Sequence, residues 1–261
     1  MNQFQALMDS LTDICRKAGA AIMEIYDNEA DFGVQSKADD SPLTIADGRS
    51  NEIICQGLKQ LVPDFPIVSE ENKEIPYEQR KHFHYYWLVD PLDGTKEFIK
   101  RNGEFTVNVA LVKKNQVVAG VVYAPVTDEM YWAVQGFGAY YQKGQAAPQQ
   151  LQANSFSESD ANLKIVCSRS HLNEATQSFV DQYESPDLVP KGSSLKFLIL
   201  AQGAAQIYPR LAPTMEWDTA AAQIIVEEAG GKVLNHETKE PLLYNKEVLR
   251  NPSFVAYGKV V

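Results

Sequence analysis

The sequence predicts an α+β protein in two halves: an N-terminal half with an antiparallel sheet and a helix pair, and a C-terminal half of the α/β type. Two helical patterns open the chain, and four strand patterns separated by short turns follow between residues 105 and 141, as in an antiparallel meander. From residue 163 onwards strand and helix patterns alternate, which indicates an α/β layer arrangement. The Gln-, Ala-, Pro- and Ser-rich stretch 142–162 drops in apolar content, so we place the halves at residues 1–150 and 151–261.

The first two elements are predicted helices. Apolar residues recur every three or four positions over residues 4–26, the spacing of an amphipathic helix that packs on the core. A second helical pattern runs over residues 46–58. The polar, turn-rich stretch 34–44 between them is either a surface spacer or a flap over an active site.

A short apolar strand at residues 67–68 comes next and runs into Glu70 and Glu71. A carboxylate at a strand end is well placed for a metal ion, although a pair of glutamates more often forms a solvated acidic turn. Residues 73–84 are polar and aromatic without a clear period, so we expect them on the surface. We assign structural roles to His82 and His84, because they share no ligand spacing with the other candidates.

The following strand pattern, residues 85–89, ends on a motif in which Asp90 and Asp93 precede Gly94 and Thr95. Two carboxylates on one turn suit Mg²⁺, which takes oxygen ligands and shares them with substrate phosphate. Gly94 lets the backbone approach a ligand, and Thr95 can open a short helix over residues 96–101 whose first amides favour anions. The alternative is that Asp-Pro and Asp-Gly are ordinary turn dipeptides.

In the second half, Asp218 lies at or near the start of a predicted helix that extends to residue 229. An aspartate there is a routine helix cap or first-turn residue worth about 1 kcal/mol. It is also a sensible further carboxylate for a metal site, and the two roles are compatible.

The composition sets limits on partners and location. The formal net charge of −10 argues against binding to nucleic acid or to an anionic membrane surface. The three separated cysteines suggest neither a disulfide framework nor a zinc site, and they fit a reducing cytoplasm. The N-terminus lacks the features of a signal peptide, and no apolar run is long enough to span a bilayer. We therefore expect a soluble cytoplasmic protein, with peripheral attachment to the inner membrane as the alternative.

Three motifs carry a family resemblance: Glu70 after Ile-Val-Ser, Asp90-Pro-Leu-Asp93-Gly-Thr95 after Trp-Leu-Val, and Glu216-Trp-Asp218-Thr-Ala-Ala before a helix. Together and in this order they resemble the inositol monophosphatase superfamily of lithium-sensitive, magnesium-dependent phosphomonoesterases. The resemblance covers nearly the whole chain. It implies the layered αβαβα sandwich, the sugar phosphatase fold, that is typical of the superfamily.

The resemblance also implies the ligands of two metal ions, with a third ion as an option. Glu70, Asp90 and the backbone carbonyl of Leu92 would hold the first Mg²⁺. Asp90, Asp93 and Asp218 would hold the second, so that Asp90 bridges the pair. Li⁺ is expected to inhibit.

The catalytic water is assigned in the same way. Thr95, oriented by Asp47, would position and deprotonate the attacking water, and Glu70 would assist through a further metal-bound water.

Within the superfamily, four segments resemble the bacterial 3′(2′),5′-bisphosphate nucleotidases: residues 37–44 with Asp47 following, 168–171, 192–196 and 208–214. Lys196 and Arg210 belong to two of these segments, and an arginine can hold a second phosphate in a bidentate manner. Without the resemblance, Lys196 or Arg210 taken singly would be interpreted as a member of a surface ion pair. His171 would be interpreted as a helix-cap or surface residue. By the resemblance, the residues that contact the substrate are Gly94, Thr95, His171, Ser193, Lys196, Arg210 and Asp218.

The implied activity is Mg²⁺-dependent hydrolysis of the 3′-phosphate of adenosine 3′,5′-bisphosphate to AMP and phosphate, in sulfur assimilation and nucleotide recycling. The sulfated relative of this nucleotide is a second candidate substrate. Two alternatives remain: a phosphatase of inositol or fructose phosphates, and a catalytically silent protein that binds the nucleotide. The expected partner is a small-molecule nucleotide bisphosphate, and the expected assembly is a monomer or a homodimer.

Overall fold

The computed structural model describes residues 4–28, 32–36, 42–168 and 173–261. After a 3₁₀ turn at Gln5–Leu7, the α-helices are α1 (Met8–Asn28), α2 (Ile45–Leu61), α3 (Tyr77–Arg80), α4 (Thr95–Ile99), α5 (Glu174–Val180), α6 (Leu195–Ala201) and α7 (Ala220–Glu228). The strands of the first half are β1 (Gln35–Ser36), β2 (Pro42–Leu43), β3 (Ile67–Ser69), β4 (Tyr85–Asp93), β5 (Thr106–Lys113), β6 (Gln116–Ala124), β7 (Glu129–Val134), β8 (Ala139–Lys143) and β9 (Gln149–Gln150). Those of the second half are β10 (Ser155–Phe156), β11 (Lys164–Ser168), β12 (Asp187–Lys191), β13 (Ile207–Arg210), β14 (Lys232–Asn235), β15 (Phe254–Tyr257) and β16 (Lys259–Val260).

The larger sheet has seven strands in the order β3-β4-β5-β6-β7-β8-β9. β3 and β4 are parallel, and every later neighbouring pair is antiparallel. The predicted meander is therefore confirmed. β5 and β6 are buried along almost their whole length, because helices cover both faces of this sheet.

The smaller sheet has five strands in the order β12-β11-β13-β15-β14. β11 is parallel to both β12 and β13, whereas β15 is antiparallel to β13 and β14. α5 and α6 connect the parallel strands, as parallel pairing requires. Among the described residues, two further short pairs are formed by β1 with β2 and by β10 with β16.

The helices and sheets stack in the layered αβαβα sandwich that the sequence resemblance implies. α1 and α2 cover one face of the larger sheet, and α6 and α7 lie between the two sheets. Along β15, Phe254 and Ala256 pack toward α6 and α7, whereas Val255 and Tyr257 pack toward α5 on the outer face. The central core thus combines residues from both halves of the chain.

α7 approaches β6 closely at Gly120. A Cβ at this position would lie 2.7 Å from the carbonyl oxygen and 2.9 Å from the Cα of Ala221. Only glycine allows the helix backbone to come so near the sheet.

Three expectations differ from the structure. Arg80 is fully buried, although residues 73–84 were expected on the surface. α7 begins at Ala220, later than predicted, with Thr219 as its N-cap. The sequence did not predict the two-residue strands β1, β2, β9, β10 and β16, because so few residues show no period.

The division into halves at residue 150 stays a prediction. In the described part of the chain, no helix is long and apolar enough to cross a membrane.

Candidate active site

The end of β4 carries Asp90 and Asp93 on either side of a β-bulge. Asp90 pairs with Asn108 of β5 and the next pair is Asp93 with Thr106, so β4 has one residue more than β5 between the pairs. Side chains three positions apart in a regular strand point to opposite faces, and a bulge changes their direction. Both aspartates accordingly line the same cavity.

Gly94 turns the chain from β4 into α4 in a left-handed conformation, with φ of 95°. A Cβ there would lie 2.9 Å from the carbonyl oxygen of Glu104 and 3.2 Å from the Cβ of Ser193. The turn therefore requires glycine for both its backbone angle and its space. It brings Gly94 and Thr95 to the wall of the cavity.

Glu70, Asp90 and Asp218 form a cluster of carboxylates. One oxygen from each side chain lies within 4.8 Å of those of the other two. Glu70 is fixed beside β4 because its N–H donates to the carbonyl oxygen of Val89 over 3.1 Å. Such a set of oxygen donors is what a hard divalent cation such as Mg²⁺ requires.

The protonation equilibria of this cluster show that the site suits a cation. The pKa of Asp90 is well above its usual range, chiefly because of burial and then because of the charges of Glu70 and Asp93. Burial, followed by the charge of Asp93, likewise raises the pKa of Asp218. Buried carboxylates that repel one another are stabilised in the charged form by a divalent cation. The residues present therefore fit a bound metal ion.

Asp218 lies one residue before the N-cap of α7. Its Oδ2 accepts a hydrogen bond of 2.9 Å from the N–H of Met215, which precedes the helix. The N-cap of α7 is thus Thr219, and the carboxylate of Asp218, for which a cap was the alternative role, accepts from Met215 and lies in the cluster.

Asp93 lies beside the cluster and is held by four hydrogen bonds to one oxygen. Its Oδ2 accepts from Ser193 Oγ (2.7 Å), Ser194 N (2.6 Å), Ser194 Oγ (2.8 Å) and, over 3.4 Å, from Asn108 Nδ2. Ser193 adopts a left-handed φ of 50° at this point. These bonds fix the carboxylate and leave its Oδ1 available to a cation.

Two side chains of β5 that sequence reasoning missed support the serines. Thr106 Oγ1 is hydrogen-bonded to Ser193 Oγ (2.7 Å) and to Asn108 Oδ1 (2.9 Å), and Asn108 Nδ2 donates to Ser194 Oγ (2.9 Å). Both Thr106 and Asn108 are buried. Their signal in the sequence is two polar residues in an otherwise apolar strand.

The hydroxyl of Thr95 is held by Asp47 of α2. Thr95 Oγ1 donates to Asp47 Oδ1 over 3.1 Å and lies 3.3 Å from the carbonyl oxygen of Leu92. Asp47 Oδ2 accepts from the N–H of Thr44 (2.7 Å) and from its Oγ1 (2.5 Å). The same bonds that cap α2 thus orient the carboxylate that holds Thr95.

Lys196 and Arg210 form a basic wall on the same cavity. Lys196 Nζ donates to the carbonyl oxygen of Ser193 over 2.6 Å. Burial lowers the pKa of Lys196 to about 8, the charge of Asp93 opposes this, and that of Arg210 adds to it. Arg210 Nη2 donates to the carbonyl oxygen of Pro213 (3.1 Å), whereas its buried Nε has no hydrogen-bond partner within the described ranges.

The cavity that these acidic and basic residues line has a volume of about 390 Å³. The predicted site residues that line it are Glu70, Asp90, Leu92, Asp93, Gly94, Thr95, Ser193, Lys196, Arg210 and Asp218. Asp47 lies behind Thr95. His171 falls outside the described residues, and Ser168, three positions earlier, lines the cavity.

A protein family shares both this fold and the motifs that build the site. The model of the inositol monophosphatase family matches residues 5–259. The chain belongs to the inositol monophosphatase family.

Relatives within the family carry a narrower name. The chain is 44% identical over 250 residues to the 3′(2′),5′-bisphosphate nucleotidase CysQ of Escherichia coli (strain K12), a match that covers 95% of this chain and 98% of that one. It is 35% identical over 254 residues to the protein of the same name from Haemophilus influenzae, covering 97% and 93% of the two chains. The crystal structure of CysQ from Bacteroides thetaiotaomicron superposes with a TM-score of 0.86 at 42% identity over 98% of both chains. The extragenic suppressor protein SuhB from Bartonella henselae gives a TM-score of 0.79 at 25% identity over 97% of this chain and 94% of that chain.

Proposed function

We propose that the protein is a Mg²⁺-dependent phosphomonoesterase that removes the 3′-phosphate of adenosine 3′,5′-bisphosphate, giving AMP and phosphate. The observation that carries the proposal is the basic wall of Lys196 and Arg210 in the cavity that the carboxylates also line, with the buried Nε of Arg210 lacking a partner in the described chain. A substrate with two phosphates can place one on each wall, whereas a sugar monophosphate leaves the basic wall unused. The name of relatives that are 44% identical supports the same substrate.

The family depends on Mg²⁺, and the cluster of Glu70, Asp90 and Asp218 can hold such an ion. We assign Glu70, Asp90 and the carbonyl of Leu92 to one ion and Asp90, Asp93 and Asp218 to a second, and we expect inhibition by Li⁺. Mg²⁺ bound there would lower the pKa of a coordinated water and offset the charge that develops on the phosphate.

Thr95 and Asp47 are assigned to the attacking water. Because the hydrogen of the Thr95 hydroxyl is directed at Asp47 Oδ1, the Thr95 oxygen is left to accept a hydrogen bond from a water in the cavity. Such a water has its lone pair free for phosphorus. As it attacks, its proton passes to Thr95 Oγ1 while the Thr95 proton moves to Asp47, so charge is conserved in the relay.

The remaining residues are assigned to substrate binding. The N–H groups of Gly94 and Thr95 bind the 3′-phosphate, and Lys196 and Arg210 bind the 5′-phosphate. We also assign Ser193, Asp218 and His171 to contacts with the nucleotide.

The substrate assignment is tested by phosphate release from purified protein. Adenosine 3′,5′-bisphosphate is compared with inositol 1-phosphate and fructose 1,6-bisphosphate, each with and without Mg²⁺ and Li⁺. We expect kcat/KM for the nucleotide to exceed that for inositol 1-phosphate by about tenfold or more, since each lost charge-assisted hydrogen bond costs about 1.5–3 kcal/mol. Equal or faster turnover of the inositol ester would instead identify a sugar phosphatase, and no Mg²⁺-dependent release from any ester would identify a binding protein.

The role of Thr95 is tested by a matched pair of variants. Thr95→Val removes the hydroxyl and keeps the shape, so kcat should fall by about 10²–10⁴-fold, the usual contribution of a positioned proton-transfer group. Thr95→Ser keeps the hydroxyl and should retain most of kcat. If Thr95→Val turns over the nucleotide as fast as Thr95→Ser, the relay through Thr95 is excluded.

A further inference from the structure

Arg80 is a buried cation that does not line the candidate active-site cavity, although it lies between Glu70 and Asp90 in the sequence. Its side chain has a relative exposure of 0%, and no carboxylate of the described chain forms an ion pair with it. Its guanidinium donates to the carbonyl oxygens of Ile75 (2.8 Å), Lys246 (3.1 Å) and Glu247 (3.1 Å) and to Asn245 Oδ1 (2.9 Å). Because a buried charge is costly without hydrogen bonds, these contacts fix the positions of their backbone partners.

The first of those partners belongs to the chain that carries Glu70. Glu70 follows β3 directly, and Ile75 lies five residues further on, just before α3. The bond from Arg80 Nε to the Ile75 carbonyl closes residues 75–80 into a loop, so it fixes the chain five residues after Glu70. Asn245 also contacts the backbone of Arg80, since its Nδ2 donates to the Arg80 carbonyl oxygen over 2.7 Å.

The other partners, residues 245–247, hold Glu216. The N–H groups of Asn245 and Lys246 donate to the two oxygens of Glu216 over 2.7 and 3.0 Å, and Lys246 Nζ adds an ion pair of 2.6 Å. Glu216 is fully buried, and its own N–H donates to the Leu249 carbonyl (2.9 Å). Asp218 follows two residues later on the same turn.

Apolar packing leaves a gap between these two parts. A cavity of about 300 Å³ is lined by Glu70, Asn72 and Ile75 on one side and by Met215, Trp217 and Val248 on the other. Packing between the two sides is therefore incomplete at this cavity, and the hydrogen bonds of Arg80 add polar contacts that connect the loop at Ile75 to residues 245–247.

We propose that Arg80 is a positioning residue that sets the separation of Glu70 and Asp218, by tying the loop after Glu70 to the segment that holds Glu216. The inference rests on the proposed role of Glu70 and Asp218 as metal ligands. Two carboxylates whose oxygens lie within 4.8 Å repel each other, and a rigid tie keeps them together before a cation binds. Metal binding then needs less rearrangement of the chain, which raises the affinity.

The test measures Mg²⁺ binding by isothermal titration calorimetry, without substrate, on the full chain. Arg80→Lys keeps the charge but cannot reach all four acceptors, and we expect its Mg²⁺ dissociation constant to rise about tenfold, the usual effect of losing an outer contact of a metal ligand. KM for adenosine 3′,5′-bisphosphate at saturating Mg²⁺ should stay within about twofold, because Arg80 does not line the substrate cavity.

Asn245→Gly gives a second, milder variant. Asn245 has a left-handed φ of 63°, which glycine adopts freely, so the substitution removes the two side-chain hydrogen bonds of Asn245 with Arg80 and keeps the backbone angle. We expect Mg²⁺ binding to weaken about threefold. This variant decides the question alone if Arg80→Lys does not fold.

The matched control is Glu228→Ala. Glu228 also ties a distant loop, since its two oxygens accept from the N–H groups of Gly136 and Gly138 over 2.8 Å each, but it lies at the far end of α7 from Asp218. The Glu228→Ala substitution should lower thermal stability and leave Mg²⁺ affinity within about twofold.

Wild-type Mg²⁺ affinity in both Arg80→Lys and Asn245→Gly, or equal weakening in Glu228→Ala, would overturn the inference. If Glu70→Gln binds Mg²⁺ as the wild type does, the proposed metal site itself fails, and this outcome is separate from the first.

Discussion

At the residue scale, the site depends on which carboxylate oxygens are already bound by the protein. Asp93 directs its Oδ2 to the two serines of the loop before α6, and Asp47 divides its oxygens between Thr44 and Thr95. Each side chain is thereby held in one orientation before a ligand arrives. Donors that are oriented in advance lower the cost of reorganisation during the reaction.

Lys196 is the residue whose charge should govern the pH dependence of substrate binding. Burial lowers its pKa to about 8, so the side chain is charged below this pH and becomes neutral above it. We expect KM for adenosine 3′,5′-bisphosphate to rise about tenfold between about pH 7 and about pH 9.5, since the lost charge-assisted bond contributes about 1.5–3 kcal/mol. The measurement is a steady-state KM profile at saturating Mg²⁺.

Lys196→Arg is the control for this profile. A guanidinium keeps its charge throughout this pH range, so the rise in KM should be absent from the variant. A rise of the same size in both proteins would show that another group titrates.

At the scale of elements, the contact between α7 and β6 decides where Asp218 lies, because Asp218 immediately precedes the helix cap. Gly120→Ala places a methyl group 2.7 Å from the carbonyl oxygen of Ala221, and backbone cannot move aside as a side chain can. We expect a loss of about 1–3 kcal/mol in the free energy of unfolding, typical of overpacking, measured by urea denaturation.

Gly48→Ala is the matched substitution in α2. A Cβ at Gly48 meets no heavy atom within 4 Å, and the position is exposed within the helix. Alanine should therefore raise the free energy of unfolding by about 0.5–1 kcal/mol through its helix propensity. Loss of stability in both variants would point to a general intolerance of alanine, and would contradict the close contact as the cause.

At the scale of the whole molecule, the larger sheet depends on both halves of the chain. Its outer face is covered by α1 and α2, and its inner face by α7 of the second half. A fragment of residues 1–150 would expose that inner face to water. We expect this fragment to bind a hydrophobic dye and to aggregate, because an uncovered apolar sheet face is an association surface.

The intact chain should correspondingly unfold in one transition. Its tryptophans report on both halves, since Trp87 lies in β4 and Trp217 lies beside Asp218. Urea curves from tryptophan fluorescence and from far-ultraviolet circular dichroism should coincide, as expected for cooperative unfolding. Two separated transitions would show that the halves are stable independently of each other.

The sequence by itself determined the longer elements and the motifs, since both depend on neighbours along the chain. The period of apolar residues predicts α1, α2 and the meander. The turn after Asp90 is predicted by the consecutive residues 90–94. The family motifs also predict the acidic and basic residues that line the cavity, and their roles in metal and substrate binding stay predictions.

Only the tertiary structure decided which distant donors and acceptors meet. Arg80 is polar in a segment without a period, so the sequence places it on the surface, and its burial is explained by its hydrogen bonds to Ile75 and to the remote residues 245–247. Thr106 and Asn108 acquire their role from serines on another layer, and Asp218 turns away from its helix toward carboxylates of the first half. The physical reason is that a buried polar group is stable wherever its hydrogen bonds are completed, and a linear pattern does not contain the identity of remote partners.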